Sequence, residues 1–226
     1  MGWGCKMLIA GIIGSEGKLQ TAGLINSIVA SKGKKVSVID SASLLGLEGN
    51  RIKAYVSELK KNNVDLLLLK TGISDVDKFL SDEVQFDIVI YTDKAEDIAE
   101  SDRREYSEKM GRLFSHMAVK GVAIVNVDDS DLISLLKGMK HKFVTYGFNT
   151  KASITTSSIG DTVFKDGFIC CLQRSISTRN GKVIEPQEYK LNLESNEFDS
   201  HNVLAAASFA IINGIDLNNI SGNPTM

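Results

Sequence analysis

Proline is nearly missing: the 226-residue chain has 2, Pro186 and Pro224, which leaves little material for linkers. Cysteine is scarce and irregular. Cys5, Cys170 and Cys171 make an odd set without ligand spacing, which argues against a disulfide framework and against zinc. An excess of one charge is missing too. With 26 Lys+Arg against 28 Asp+Glu the net charge is −2, so electrostatics recommends neither nucleic acid nor an anionic membrane as a partner. The N-terminal stretch MGWGCKMLIAGII is broken by glycines and followed by Glu16 and Lys18, which fits neither a signal peptide nor a membrane span. Lys6 stands where myristoylation requires Ser or Thr. No Gly-x-Ser-x-Gly elbow, Cys–His pair or basic-aromatic interleaving is present, which leaves hydrolase and nucleic-acid functions unsupported. A cytoplasmic, reducing location is the expectation.

What is present is a full core. Hydrophobic residues make up 43% and charged residues 24%, ordinary for a soluble globular chain of one large or two small α/β domains. Apolar runs at Leu8–Ile13, Val36–Ile39, Val64–Leu69, Phe86–Tyr91, Gly121–Val125 and Phe143–Tyr146 read as strands. Between them Thr21–Ser31, Ile52–Leu59, Arg103–Val119 and Leu132–Met139 read as helices. Strands apolar on both faces, alternating with helices, predict a parallel sheet covered on both sides. After Thr150 the texture changes. Ala152–Thr162, Gly167–Ser177 and Gln187–Leu193 read as strands without helices between them, and Asn180-Gly181 as a hairpin turn. Phe198–Asn213 is an alanine-rich apolar helix ended by Gly214. The expected fold is a three-layer α/β sandwich with a mostly parallel, P-loop-type central sheet and a small antiparallel extension. Residues 1–150 would form the core, 151–197 the extension and 198–215 the closing helix of a single domain.

The segment Leu8–Thr21, LIAGIIGSEGKLQT, carries the sharpest chemical signal. A strand meets the spacing Gly11-x-x-Gly14-x-x-Gly17-Lys18, and a helix follows. Glycines admit a phosphate close to the backbone, and a helix N-terminus offers unpaired N–H groups and partial positive charge. Lys18 would reach the outer phosphates, with Gly14, Ser15, Glu16, Gly17 and Leu19 as the cradle. Leu19 occupies the place of the hydroxyl residue that ordinarily holds Mg²⁺. Ligands of such sheets sit at the strands' carboxyl ends, so Lys18, Lys70, Asp93 and the turn Asn126–Asp129 should share one rim. Asp128, Asp129 and Ser130 are also good helix N-caps.

Several segments together resemble the central domain of the Mur ligases, ATP-dependent enzymes that extend the peptidoglycan precursor, which folylpolyglutamate synthases share. GIIGSEGKLQT is similar to the family's glycine loop. GVAIVNVDDSDLISLLKGMKHKFVTYGF is similar to its strand, Asn-x-Asp-Asp turn, helix and Tyr-Gly strand. FDSHNVLAAASFAIINGI is similar to its closing helix. The resemblance implies ATP as cofactor, with Lys18 on the β- and γ-phosphates and Asn126, Asp129 and Asn202 toward the nucleoside. It implies amide-bond ligation, with flanking domains supplied by separate chains.

The positions for that chemistry's metals read poorly, and no metal ligand is assigned. Leu19 replaces a Thr, and Lys70 stands where the family places a metal-binding Glu. Met110 falls at the position of a carbamylated lysine, with Lys109 beside it. Ile98 replaces a histidine next to Asp97. Lys70 could instead neutralise phosphate charge directly, which makes Lys18 and Lys70 the catalytic candidates. The alternatives are a non-catalytic nucleotide-binding or interaction module, and a partition-type P-loop ATPase suggested by Lys35–Asp40.

Overall fold

Strand β1 (Leu8–Ile13) is buried along its whole length, and its neighbours explain why. It pairs in parallel with β3 (Leu66–Thr71) on one side and β4 (Phe86–Tyr91) on the other. Beyond β3 lies the edge strand β2 (Val36–Asp40). Beyond β4 follow β5 (Met117–Asn126), β6 (Lys142–Tyr146) and β7 (Ile154–Thr156), all parallel. The sheet continues with β8 (Phe168–Leu172), β11 (Gln187–Leu193) and β12 (Ser221–Gly222), giving the order 12-11-8-7-6-5-4-1-3-2. A separate hairpin joins β9 (Ile176–Ser177) to β10 (Val183–Ile184). The computed structural model describes residues 6–14, 17–44, 49–79, 84–92, 102–136, 140–157, 167–193, 198–218 and 221–222. Ser15, Glu16, Asp93, Asp97 and Ile98 lie outside them.

Alternation along each strand builds three layers. Ala10, Ile12, Leu66, Leu68, Ile88, Ile90, Val122 and Ile124 face α1 (Gly17–Ala30) and α6 (Ser200–Ile212). Ile9, Ile13, Leu67, Leu69, Val89, Tyr91, Ala123 and Val125 face α2 (Gly49–Lys61), α4 (Arg103–Ser115) and α5 (Ser130–Leu135). A short α3 (Val76–Phe79) lies between β3 and β4 in the chain. Since β1 lies between β3 and β4, the chain turns to opposite sides of it. The strand order therefore reverses at the carboxyl end of β1, where open α/β sheets bind ligands.

The junction between the fourth helix and the fifth strand differs most clearly from expectation. The helix from Arg103 ends at Ser115, where the His116 N–H bonds back to the Leu113 carbonyl, and β5 starts at Met117, opposite Phe86. Pairing with β4 thus claims Met117 for the sheet, and the register is irregular from there to Val122. The extension is antiparallel as expected, with β8 running against β7 and β11; β12, from outside it, adds in parallel to β11. The Asn180-Gly181 turn forms, with Gly181 at φ +85°. Gly214, at φ +70°, ends the closing helix.

Candidate active site at the carboxyl rim

The end of β1 is tied to both neighbours. Gly14 N–H donates to the Thr71 carbonyl (2.9 Å), and the Thr92 N–H and hydroxyl both donate to the Ile13 carbonyl (2.9 and 3.1 Å). Helix α1 then opens at Gly17. A Cβ there would lie 2.6 Å from Asn202 Oδ1 and 3.1 Å from Thr92 Cβ, so only glycine fits. Lys18 sits on the helix's first turn, where backbone N–H groups lack intrahelical acceptors. Leu19, 58% exposed, points its apolar side chain out beside it. Gly11 belongs to the strand interior, where the missing Cβ admits the Phe86 ring, 2.9 Å from where that atom would be.

Helix α6 clasps this turn. Asp199 caps the helix by accepting from the His201 and Asn202 N–H groups. Asn202 Nδ2 donates to Gln20 Oε1 (3.0 Å), which also accepts from Asp199 N (2.8 Å). The buried Thr21 hydroxyl donates to Asn202 Oδ1 (3.3 Å). Asn202 therefore touches the phosphate-loop helix through its side chain.

The β5 turn is built from its own carboxylates and amide. Asn126 Oδ1 accepts from Asp128 N (2.9 Å), and Asp129 Oδ1 caps α5 by accepting from Leu132 N (2.8 Å). Both side chains are buried. Asp128 binds outward, accepting from Phe148 N and Asn149 N (2.7 Å each) and lying 3.1 Å from His201 Nε2. Phe148, half exposed, packs edge-on to His201 with centroids 4.5 Å apart. Gly147 has φ +143°, and a Cβ would stand 2.5 Å from Asp128 Oδ2. Sequence reasoning placed this turn on the rim without singling out Asp128, whose contacts come from 20 and 73 residues away. Gly147 was the local signal.

Adjacent residues of one helix thus join the two halves of the rim, Asn202 to α1 and His201 to the β5 turn. Lys70, penultimate in β3, rises on the α1 face in register with Ile12 and Asp40. Its side chain is 17% exposed, and its ammonium lies 3.6 Å from Asp40 Oδ2. Lys109 is remote in role: it pairs with Glu105 at 2.7 Å, and Met110 is fully buried in the core. Burial, with the Asp129 charge nearby, pushes the Tyr106 phenol far up, so it stays neutral.

The family model described as the Mur ligase middle domain matches residues 12–210. The chain belongs to that family. As a Mur ligase middle domain it is 23% identical over 233 residues to a UDP-N-acetylmuramoyl-L-alanyl-D-glutamate–2,6-diaminopimelate ligase of Caldanaerobacter subterraneus subsp. tengcongensis, covering 95% of this chain and 45% of that protein. It is 24% identical to a UDP-N-acetylmuramate–L-alanine ligase of Nitrosospira multiformis, covering 93% of this chain and 39% of the relative. The chain spans less than half the length of these relatives. Among solved structures, a 2,6-diaminopimelate-adding ligase superposes with TM-score 0.66 at 16% identity, covering 94% of this chain and 44% of its own. A folylpolyglutamate/dihydrofolate synthase from Yersinia pestis, solved with AMPPNP and Mn, gives TM-score 0.62 at 14% identity, covering 95% and 55%. These superpositions show a shared fold.

Among the described rim residues, the donor set does not fit the metal that such a fold implies. Among the described residues no group of three or more His, Cys, Asp or Glu side chains is placed to hold an ion. At the rim, Leu19 is apolar, Lys70 is a cation, and Asp129 and Asp128 accept from backbone N–H groups. Mg²⁺ on a nucleotide ordinarily takes one or two protein carboxylates besides phosphate oxygens and waters.

Proposed function

We propose that this chain is a nucleotide-binding module of Mur type, descended from an ATP-dependent carboxylate–amine ligase of peptidoglycan-precursor synthesis and weakened in metal-dependent catalysis. One observation carries the proposal: Lys18 stands on the first turn of α1, directly after β1, where the strand order reverses. In this reading Gly14 and Gly17 let the phosphates approach, the α1 N–H groups and Lys18 hold them, and Lys70 adds a second charge. Asn126 and Asp129 shape the nucleoside side, and Asn202 holds α1 in place. The module works in the cytoplasm with Mur-type flanking domains. A relative solved with ADP, the Thermotoga maritima MurF ligase, supports the nucleotide assignment at the level of the fold, with TM-score 0.60.

A non-catalytic role is the second reading, and the Lys70 ammonium on the rim favours it. The test is thermal denaturation with ATP in large excess. At about 100 times the dissociation constant, native-state binding adds about 2.7 kcal/mol of stability. Wild type should shift upward in melting temperature and Lys18→Ala should not. Equal behaviour of the two proteins removes the nucleotide reading and leaves the interaction module.

A further inference from the structure

Among the described residues of the rim, the carboxylates are already engaged and two lysines stand at the strand ends. Asp40 divides its carboxylate between Ala42 N (3.1 Å) and Lys70 (3.6 Å). Asp199 caps α6, Asp129 caps α5, and Asp128 accepts from two N–H groups beside His201. The threonine hydroxyls are turned inward: Thr71 to the Gly72 carbonyl, Thr92 to the Ile13 carbonyl and Thr21 to Asn202. Lys70 is mostly buried, yet its ion pair with Asp40 is longer than a hydrogen bond. A buried ammonium held this loosely gains by meeting a closer, more highly charged oxyanion.

The geometry points to metal-free capture of the phosphate chain: Lys18 and Lys70 together neutralise the charge that a divalent cation ordinarily covers, and the preferred ligand is the uncomplexed nucleoside triphosphate. This rests on the nucleotide reading above. Lys18 comes from the start of α1, and Lys70 from the adjacent strand on the same face of the sheet. A phosphate chain laid along the end of β1 lies between them. Lys70 then exchanges a shared carboxylate for phosphate oxygens. A magnesium ion on the phosphates would instead compete with Lys70 for the same oxygens, so magnesium weakens binding.

Isothermal titration calorimetry with ATP, in EDTA and again in excess MgCl₂, tests this on the full chain. Wild type should bind more tightly in EDTA than in magnesium, and equal or weaker binding in EDTA overturns the inference. Lys70→Ala and Lys70→Gln should each lose about ten- to a hundredfold of affinity in EDTA, the usual worth of a charge-assisted hydrogen bond. Lys70→Glu should bind only with magnesium, inverting the preference. Unliganded melting temperature and gel filtration establish that each variant is folded, and Lys70→Gln, close in shape, serves if Lys70→Glu is not. Wild-type binding that requires magnesium overturns the inference and leaves the nucleotide site standing. Binding in EDTA that Lys70→Gln does not weaken overturns it likewise. No binding under either condition removes the nucleotide reading and this inference with it.

Discussion

Among the described residues, the two ends of the parallel sheet use their charges differently. At the amino end, acids meet bases. Asp65 accepts from Lys34 Nζ and Lys35 N (2.9 Å each). Asp87 accepts from Ile9 N (3.0 Å) and pairs with Arg179 (3.0 Å), which pins the β9–β10 hairpin beneath the strands. At the carboxyl end, acids cap helices and turns, while Lys18 and Lys70 sit over the strand ends. Charges neutralised by near neighbours hold a fold together. Lys70 keeps only a 3.6 Å pair with Asp40, longer than the ion pairs at the amino end.

The contrast predicts which substitutions touch the ligand. Gly147→Ala should cost most, about 3 kcal/mol, because it combines a left-handed φ with a Cβ 2.5 Å from Asp128. Denaturant unfolding measures the loss, and ATP stabilisation should fall with it. Asn202→Ala should cost about 2 kcal/mol by stranding the buried Thr21 hydroxyl and releasing Gln20. Calorimetry should show weaker ATP binding, since the start of α1 loses its clasp. Arg179→Ala should cost about 1 kcal/mol, with Asp87 left without its cation, and should leave ATP affinity unchanged.

The smallest effect is a pH dependence at the amino end. Burial by itself would raise Asp65, but the Lys34 and Lys35 hydrogen bonds outweigh it and hold the carboxyl below its ordinary value. A depressed folded-state pKa stabilises the protein above the unfolded value and loses that stability as pH falls below about 4. Asp65→Asn should therefore lose about 0.5 kcal/mol at pH 7 and converge on wild type in acid. Urea titrations at several pH values check it. A rim substitution that spares ATP binding, or an amino-end substitution that abolishes it, breaks the comparison.

The fold was readable because β1, β3 and β4 are apolar on both faces, a pattern that a parallel sheet requires. The start of β5 was not. Residues 117–119 continue the helical texture locally, and the pairing of Met117 with Phe86 of β4 turns the chain into the sheet. Gly11 counted in the motif spacing although it lies in the strand, because sequence alone does not show that its missing Cβ makes room for Phe86. Asp129 was readable as a capping type, and it caps α5, while Asn126 closes the turn before it. The Asn202 clasp was hidden, since its partners lie 181 and 182 residues away.

Backbone amide shifts on adding ATP test the central claim most directly. The account predicts movement at Gly14, Gly17, Lys18, Leu19 and Lys70, with the amides of Asp65, Asp87 and Arg179 at the other end of the sheet unmoved. Shifts confined to that other end, or the same shifts in Lys18→Ala, would contradict it.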